Sequence, residues 1–289
     1  MASPSLKEDP LSQTPRITFI GFTNIDKNST PQGETISPGG GAYFGAVVAS
    51  LLLQPIGLVT RIGTDYDADF LLSRVLPDGV HVIQDKPTAT STQTYHSVDD
   101  LTDREVSLDW GVAPDICPED IPPAWITDSD WIHISTMPPL QQFRFLRYLR
   151  DQQINIPISL DTDLCFLSDP QDIQQVQRNF PLADLGFVNR REYDKLQTVI
   201  DKMPEAIVKL DKDGAYHMRE GKKDCEVKAE PVSVLDATGA GDILAGIYLA
   251  TRVQGGTERE SLQAGVSMAS LSVTQVGITH LFHKNENLV

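Results

Sequence analysis

The stretch Asp236-Ala237-Thr238-Gly239-Ala240-Gly241-Asp242, followed by the apolar run from Ile243 to Ala250, decides how this chain is interpreted. Small residues before an apolar run predict a tight turn that opens a buried helix. The first N–H groups of a helix lack intrahelical partners and lie at the positive end of its dipole, which suits a phosphate group. Asp242 follows the last glycine, where its carboxylate can take a proton from an attacking hydroxyl. The pattern indicates phosphoryl transfer.

The two common phosphate-binding loops do not explain this stretch. A dinucleotide-binding G-x-G-x-x-G sequence would need its third glycine where the chain has Leu244. The sequence also contains no G-x-x-x-x-G-K-[ST] loop. The structural alternative is a glycine-rich turn in which Asp242 only caps the helix.

Three ordered motifs carry a resemblance to a known family. The stretch from Asp236 to Asp242 is similar to the C-terminal signature of the PfkB (ribokinase-like) family of small-molecule kinases. Two further motifs precede it in the family's order. The first is Gly39-Gly40-Gly41, which follows the segment Gly21-Phe22-Thr23-Asn24-Ile25-Asp26, and the second is the N-x-x-E element Asn189-Arg190-Arg191-Glu192. The resemblance covers about residues 16 to 280. It implies a three-layer α/β fold with a mostly parallel sheet, a small β lid and ATP-dependent kinase activity.

The resemblance assigns roles around the late helix. Asp242 would be the general base, and the amides of Gly239, Ala240 and Gly241 would hold the transferring phosphoryl group. Asp236 corresponds to an aspartate that helps bind a monovalent cation such as K⁺ in many members. A turn-capping role for Asp236 stays open.

Further residues would bind the nucleotide. Asn189 and Glu192 follow a predicted strand and, by resemblance, orient Mg²⁺ and its water shell around the ATP phosphates. The structural alternative for this pair is a helix capping box. Lys209 and the turn Asp211-Lys212-Asp213-Gly214 match the family's nucleotide-side loop, with Asp211 where glycine is more common.

The acceptor side carries one departure from the ribokinase pattern. Asn24 and Asp26 occupy positions that bind substrate hydroxyls in ribokinase-like enzymes, and Gly39, Gly40 and Gly41 would let a polyol approach the backbone. Phe44 stands where ribokinases carry an asparagine. With Gly33-Glu34-Thr35, this region resembles the inositol-kinase branch more than ribokinase, and Phe44 becomes a candidate substrate-binding residue.

A second departure concerns the charge of the acceptor. The segment Asp161-Thr162-Asp163-Leu164-Cys165 lies where sugar kinases of the fructokinase type often have Asp-x-Asn-x-Arg. Cys165 replaces the arginine that would recognise an acidic group. We therefore expect a neutral acceptor, with Asp161 and Asp163 either binding its hydroxyls or solvated.

Composition excludes several classes of function. At 289 residues, the chain is long enough for one large α/β domain. A net charge of −16 at pH 7 opposes binding to nucleic acid or to an anionic membrane surface. No apolar run approaches the ~20 residues of a membrane span. We expect neither nucleic acid nor a membrane as a partner.

The cysteines and the N-terminus favour a cytoplasmic protein. Cys117, Cys165 and Cys225 lie far apart and form no C-x-x-C pair, which predicts free thiols in a reducing compartment. Residues 1–15 are polar and lack a signal or transit pattern, so we expect a disordered tail before a domain at 16–289. The histidines show no ligand spacing, so the sequence does not support a zinc site.

Strand and helix patterns alternate along most of the chain, which indicates a mainly parallel sheet covered on both faces. The predicted strands are Arg16 to Phe22, Ile56 to Ile62, Trp131 to Ile134, Ile156 to Leu160, Leu185 to Val188 and Ile207 to Leu210. The predicted helices are Gly41 to Leu53, Tyr66 to Leu76, Gln141 to Gln152, Pro170 to Asn179 and Arg191 to Ile200.

One segment breaks this alternation. Thr90 to Val98 and Arg104 to Trp110, joined by Asp99 to Asp103, predict a hairpin without a crossover helix. Together with Lys27 to Ser37 it resembles the family's lid, built from about residues 24 to 38 and 87 to 112. An exposed lid edge can pair with a second lid, which leaves a homodimer open.

The function expected from the sequence is phosphorylation of a hydroxyl on a small neutral polyol or sugar by ATP, with myo-inositol as the first guess. A nucleoside kinase is the alternative within this class, with Tyr43, Phe44 and Tyr95 as candidates for an aromatic platform. A catalytically silent relative that binds a sugar or nucleotide is the alternative outside it.

Overall fold

A computed structural model describes the protein at residues 13–30, 33–95 and 104–283. In chain order the strands are β1 (Ile17–Ile20), β2 (Asn24–Thr30), β3 (Gly33–Gly39), β4 (Ile56–Gly63), β5 (Val80–Ile83), β6 (Ala89–Tyr95), β7 (Arg104–Asp109), β8 (Trp131–Ile134), β9 (Ile158–Asp161), β10 (Leu185–Asn189), β11 (Glu205–Lys209), β12 (Ala215–Arg219) and β13 (Lys222–Val227). The α-helices are α1 (Gly41–Ala49), α2 (Asp69–Leu72), α3 (Pro123–Asp128), α4 (Pro139–Asp151), α5 (Pro170–Asn179), α6 (Arg190–Ile200), α7 (Ala240–Val253), α8 (Glu258–Ser272) and α9 (His280–His283).

Within the described residues, a large sheet of 9 strands forms the centre of the fold, in the order β13-β12-β11-β10-β9-β8-β1-β4-β5. Its strands pair in parallel from β11 to β5. At one edge, β12 pairs antiparallel with both β11 and β13. The predicted mostly parallel sheet is confirmed. The carboxyl ends of its parallel strands therefore meet at one rim, where open α/β sheets bind ligands.

Helices cover both faces of this sheet and make three layers. One apolar core packs the sheet against α1, α7 and α8. A second core packs the other face against α3, α4, α5 and α6. Because both faces are covered, the central strands are buried throughout, as in β1 and β9.

A second, smaller sheet stands apart from the central one, with strand order β3-β2-β6-β7. Strand β2 pairs antiparallel with β3 and parallel with β6, and β6 pairs antiparallel with β7. The expected joining segment of the β6–β7 hairpin, Asp99 to Asp103, lies outside the described residues. The role of this sheet as a lid stays a prediction.

Helix α2 is shorter than the predicted helix from Tyr66 to Leu76. The carboxylate of Asp67 accepts a hydrogen bond from the amide of Asp69 at 3.2 Å, so an aspartate turn delays the start of the helix. The expected tail lies outside the described residues as far as position 12, and Pro15 is buried. Among the described helices, none has the length and apolar character of a membrane span.

Candidate active site

The start of α7 is fixed by a glycine that no other residue can replace without a clash. Gly239 caps the helix with φ 74°, in the left-handed region that favours glycine. A Cβ atom there would lie 2.3 Å from the ring of Phe44. The amide of Ala240 donates to the carbonyl of Ala237 at 3.3 Å, which closes the turn. Of the three predicted anion-binding amides, that of Ala240 is therefore used within the turn.

Asp242 lies in the first turn of α7, half-buried and against the glycine-rich start of α1. A Cβ atom at Gly41 would lie 2.6 Å from Oδ1 of Asp242, so only glycine leaves room for this carboxylate. Burial raises the pKa of Asp242, and the nearby Asp161 raises it further, while Lys209 opposes the shift. A carboxylate with a raised pKa is a stronger proton acceptor than an ordinary aspartate.

The other two glycines of the stretch from Gly39 to Gly41 leave room for Asn24 and Asp26, near the start of β2. A Cβ atom at Gly39 would lie 1.9 Å from the carboxylate of Asp26, and one at Gly40 would lie 2.8 Å from Oδ1 of Asn24. Asn24 donates to Asp26 at 3.3 Å. Burial raises the pKa of Asp26 to about 6, and the hydrogen bond from Asn24 opposes the shift.

Phe44 has a different position from the one expected. Its side chain belongs to the apolar core and packs beneath Gly239 and edge-to-face on Tyr43, with ring centroids 5.5 Å apart. Tyr43 is equally buried. Phe44 therefore supports the turn before α7. From the sequence, its side chain was expected to contact the substrate instead.

Asn189 and Glu192 form the capping box that the sequence left as an alternative. The side chain of Asn189 accepts from the amide of Glu192 at 3.0 Å. The carboxylate of Glu192 accepts from the backbone N–H of Asn189 at 2.7 Å and from its Nδ2 at 2.6 Å. Burial raises the pKa of Glu192 to about 8, although Lys209 opposes the shift. A role at Mg²⁺ stays a prediction.

A buried ion pair that the sequence did not predict lies between these elements. Nζ of Lys209, at the end of β11, lies 2.8 Å from Oδ2 of Asp161, at the end of β9. The side chains are 14% and 2% exposed, so Asp161 is not solvated. Burial disfavours the ammonium, but Asp161, Glu192 and Asp242 together raise the pKa of Lys209. The ammonium also lies 3.1 Å from where a Cβ of Gly241 would be.

The backbone conformation of the loop after Lys209 explains how Asp211 can stand where glycine is more common. Asp211 has φ 53°, a conformation in which aspartate is one of the better-tolerated residues. Gly214 has φ 99°, and a Cβ there would lie 2.1 Å from the carbonyl oxygen of Val227. Gly214 thus allows β12 to start close against β13.

Asp236 has the turn-capping role that the sequence left open. Its carboxylate accepts from the amide of Thr238 at 2.9 Å and from that of Gly277 at 3.3 Å. These bonds attach the segment before α7 to the loop after α8. The monovalent-cation role stays a prediction.

Two other polar residues make local structural contacts. Asp163 caps a short turn by accepting from the amide of Cys165 at 2.8 Å, and Cys165 is exposed. His133 lies in the core of β8, where burial lowers its pKa to about 3.

A cleft of about 910 Å³ runs along the carboxyl rim from Asp242. All five predicted nucleotide-binding residues line it, as do the first residues of α7. The lining of this cleft does not include Asn24, Asp26 or the triad from Gly39 to Gly41, which lie on the far side of Asp242. Asp242 therefore stands between a large cleft and a closely packed polar region. The lining residues with these roles are Asn189, Glu192, Lys209, Asp211, Gly214, Gly239, Ala240, Gly241 and Asp242.

Known proteins resemble this arrangement over most of the chain. A cytidine kinase from Thermococcus kodakarensis is 26% identical over 269 residues, which cover 88% of this chain and 94% of that protein. The adenosine kinase of Sinorhizobium meliloti has a TM-score of 0.77 at 16% identity, covering 96% of this chain and 100% of that one. The ribokinase of Thermotoga maritima has a TM-score of 0.72 at 19% identity, covering 90% and 93%. At such identities the two structures support the ribokinase-like fold alone.

The family itself is given by the sequence match. Residues 13–285 match the family described as pfkB family carbohydrate kinase. This span contains the large sheet, the small sheet and both sides of the cleft. The chain therefore belongs to the pfkB family of carbohydrate kinases, phosphotransferases that act on the hydroxyl group of a sugar or nucleoside.

Proposed function

We propose that this chain transfers the γ-phosphoryl group of ATP to a hydroxyl of a small neutral acceptor, with Asp242 as the general base. The observation that carries the proposal is the contact between Gly41 and Asp242, which lines the large cleft. Asp242 accepts the proton of the acceptor hydroxyl as its oxygen attacks the γ-phosphorus, and the bond to ADP breaks. The amides of Gly239 and Gly241 balance charge on the transferring group.

The chemistry of the cleft suits a nucleoside triphosphate. The start of α7 brings the positive end of a helix dipole to the same place as the buried ammonium of Lys209. Farther along, the lining is apolar and can contact an aromatic base, through Val232, Val234, Val266 and Val273. A local positive site of this kind offsets the overall charge of −16.

Glu192 and Asn189 fit a bound magnesium ion only through water. Both carboxylate oxygens of Glu192 already accept hydrogen bonds from Asn189, and the side chain is buried. In the ionised form of Glu192, each oxygen retains a further lone pair that can accept from a metal-bound water. When bound with the nucleotide, Mg²⁺ supplies charge neutralisation on the phosphates. Both residues line the cleft, which supports this outer role.

Two acceptors have specific support. The half-buried Asn24 and the buried Asp26 begin a row of polar side chains that continues on the paired strands β2 and β6 with the buried Asn28 and Gln93. Alternate residues of a strand are ~7 Å apart, so the row is longer than one hydroxylated ring requires. This length and the cytidine kinase relative favour a nucleoside. The resemblance of the region from Gly33 to Phe44 to inositol kinases favours myo-inositol.

The decisive experiment is an ADP-release assay with ATP and Mg²⁺ over cytidine, uridine, adenosine, ribose and myo-inositol. We expect turnover with at least one of these acceptors. Asp242→Asn should reduce it by ~100-fold or more, the scale of general-base catalysis. ATP binding by the variant, followed by calorimetry, is the control for folding. Undiminished turnover by Asp242→Asn would exclude the proposed base.

A catalytically silent relative is the competing function. It predicts ligand-dependent thermal stabilisation without ADP release for the whole panel. The joint presence of Gly239, Gly241 and Asp242 at one helix start favours the enzyme.

A further inference from the structure

A buried histidine at the edge of the large sheet lies among side chains that bind metals. His217, in β12, is 0% exposed. Its Nδ1 atom lies 3.1 Å from Oδ2 of Asp224, and its Nε2 atom lies 3.4 Å from Oε2 of Glu205. None of these residues lines the cleft, so the nucleotide site does not account for them.

A neutral imidazole cannot satisfy both carboxylates. One of its nitrogens carries a hydrogen and the other presents a lone pair. With a carboxylate oxygen close to each nitrogen of His217, a neutral ring would direct its lone pair at an oxygen. A cation bound at that nitrogen would accept the lone pair.

A β-bulge brings a thiol to the same point. In the β12–β13 pairing, His217 stands opposite Cys225 and Met218 opposite Lys223, which leaves Asp224 as the extra residue of the bulge. One ligand atom each from His217, Asp224 and Cys225 lies within 4.8 Å of the others. Thiolate, imidazole and carboxylate together form a donor set typical of zinc.

The surroundings match those of a metal-binding histidine. Such a histidine usually donates its other N–H to a carboxylate, and Glu205 provides that acceptor for His217. Glu205 is itself held by Arg219, whose Nη2 donates to Oε1 at 3.0 Å. The side chain of Asp224 is 48% exposed, which gives an ion a path from solvent. Burial raises the pKa of Cys225, and a bound cation would favour its thiolate.

We propose that His217, Asp224 and Cys225 bind a zinc ion on the β12–β13 hairpin, with water as the fourth ligand and Glu205 orienting the histidine. Binding exchanges the thiol proton of Cys225, released to solvent, for a sulfur–zinc bond. The spacing of histidines along the chain did not indicate this site, because its ligands come from two strands and include one histidine.

Cobalt(II) is the spectroscopic probe. The full-length chain, stripped with a chelator and titrated with Co²⁺, should show the visible bands of tetrahedral cobalt and a thiolate charge-transfer band, saturating at about one ion per chain. Zinc should displace the cobalt and abolish both. Cys225→Ser should lose the charge-transfer band, whereas the exposed Cys165→Ser should keep it. Unchanged spectra in Cys225→Ser would overturn the site.

Two variants keep the test independent of the buried cysteine. Asp224→Asn changes an exposed side chain, and both it and Glu205→Gln should weaken zinc binding by about 10-fold or more, measured by competition with a chelator. Equal zinc affinities in wild type and Asp224→Asn would contradict the proposal. The proposal would also be contradicted if the metal-free chain took up no cobalt and NMR showed both ring nitrogens of His217 protonated. None of these measurements uses kinase activity, so the result is separate from that of the proposed function.

Discussion

Nζ of Lys209 lies 2.8 Å from Oδ2 and 3.1 Å from Oδ1 of Asp161, and this buried ion pair crosses above β10 at the base of the cleft. Removing one partner leaves an uncompensated buried charge. Lys209→Met should therefore lower the free energy of unfolding by about 3–5 kcal/mol, measured by urea denaturation.

Removing both charges tests the cause of that loss. The double variant Lys209→Met/Asp161→Leu should recover a large part of the stability, because no buried charge remains. The exposed pair Arg147–Asp151, 3.3 Å apart, is the matched control, and Arg147→Ala should cost no more than about 0.5 kcal/mol. Similar losses in Lys209→Met and Arg147→Ala would show that the buried pair has no special role.

The raised pKa of Asp242 predicts the pH dependence of turnover. Its carboxylate must be ionised to accept a proton, so activity should rise with pH as Asp242 loses its own proton. Since burial and Asp161 raise this pKa, the acidic limb of kcat/KM should have its midpoint well above ~4, the usual value for aspartate. A midpoint near ~4 would contradict the desolvated environment.

Glu192 predicts a pH dependence of stability with a definite sign. Its pKa is about 8 in the folded chain against an ordinary value of 4.5, so between these pH values the folded state binds the extra proton. The contribution to stability is complete below pH 4.5 and is lost as the pH rises through about 8. Glutamine keeps the capping box, so Glu192→Gln should remove this dependence.

The measurement is the free energy of unfolding of wild type relative to Glu192→Gln at a series of pH values. The difference should change by about 1 kcal/mol or more across the window, since one pKa unit corresponds to ~1.4 kcal/mol. Glu34→Gln, at an exposed position, is the control for replacing one carboxylate by an amide. A flat profile for Glu192→Gln would mean that its carboxylate is ordinarily solvated.

The sequence predicted the parallel sheet and the helix start because those features depend on local patterns. Short apolar runs that alternate with helices identify strands buried on both faces of the sheet. The residues from Gly239 to Gly241, placed before Ile243, identify the turn into α7. The hairpin of β12 and β13 was not predicted, since its charged outer strand lacks a regular apolar alternation.

Contacts between distant segments were less accessible from the sequence. Gly41 and Asp242 were each identified, but their contact depends on how α1 and α7 pack. The expected substrate contact of Phe44 came from its position in the motif. The direction of its side chain depends on how α1 and α7 pack, which the motif does not give. The Lys209–Asp161 pair crosses an intervening strand, and spacing along one chain does not encode such a pairing.

Gly239 offers a test of the helix start itself. Gly239→Ala places a Cβ 2.3 Å from the Phe44 ring and imposes a left-handed conformation that costs about 1–2 kcal/mol in a residue with a side chain. The turn must shift, so kcat should fall while KM for the acceptor changes little, because the anion-binding amides move. Gly255→Ala is the control, since its φ of 94° carries the same kind of strain with nothing within 4 Å of the new Cβ. Steady-state kinetics and urea denaturation of both variants separate strain from catalysis. An equal fall in kcat for Gly239→Ala and Gly255→Ala would assign the effect to stability and remove the turn from the mechanism.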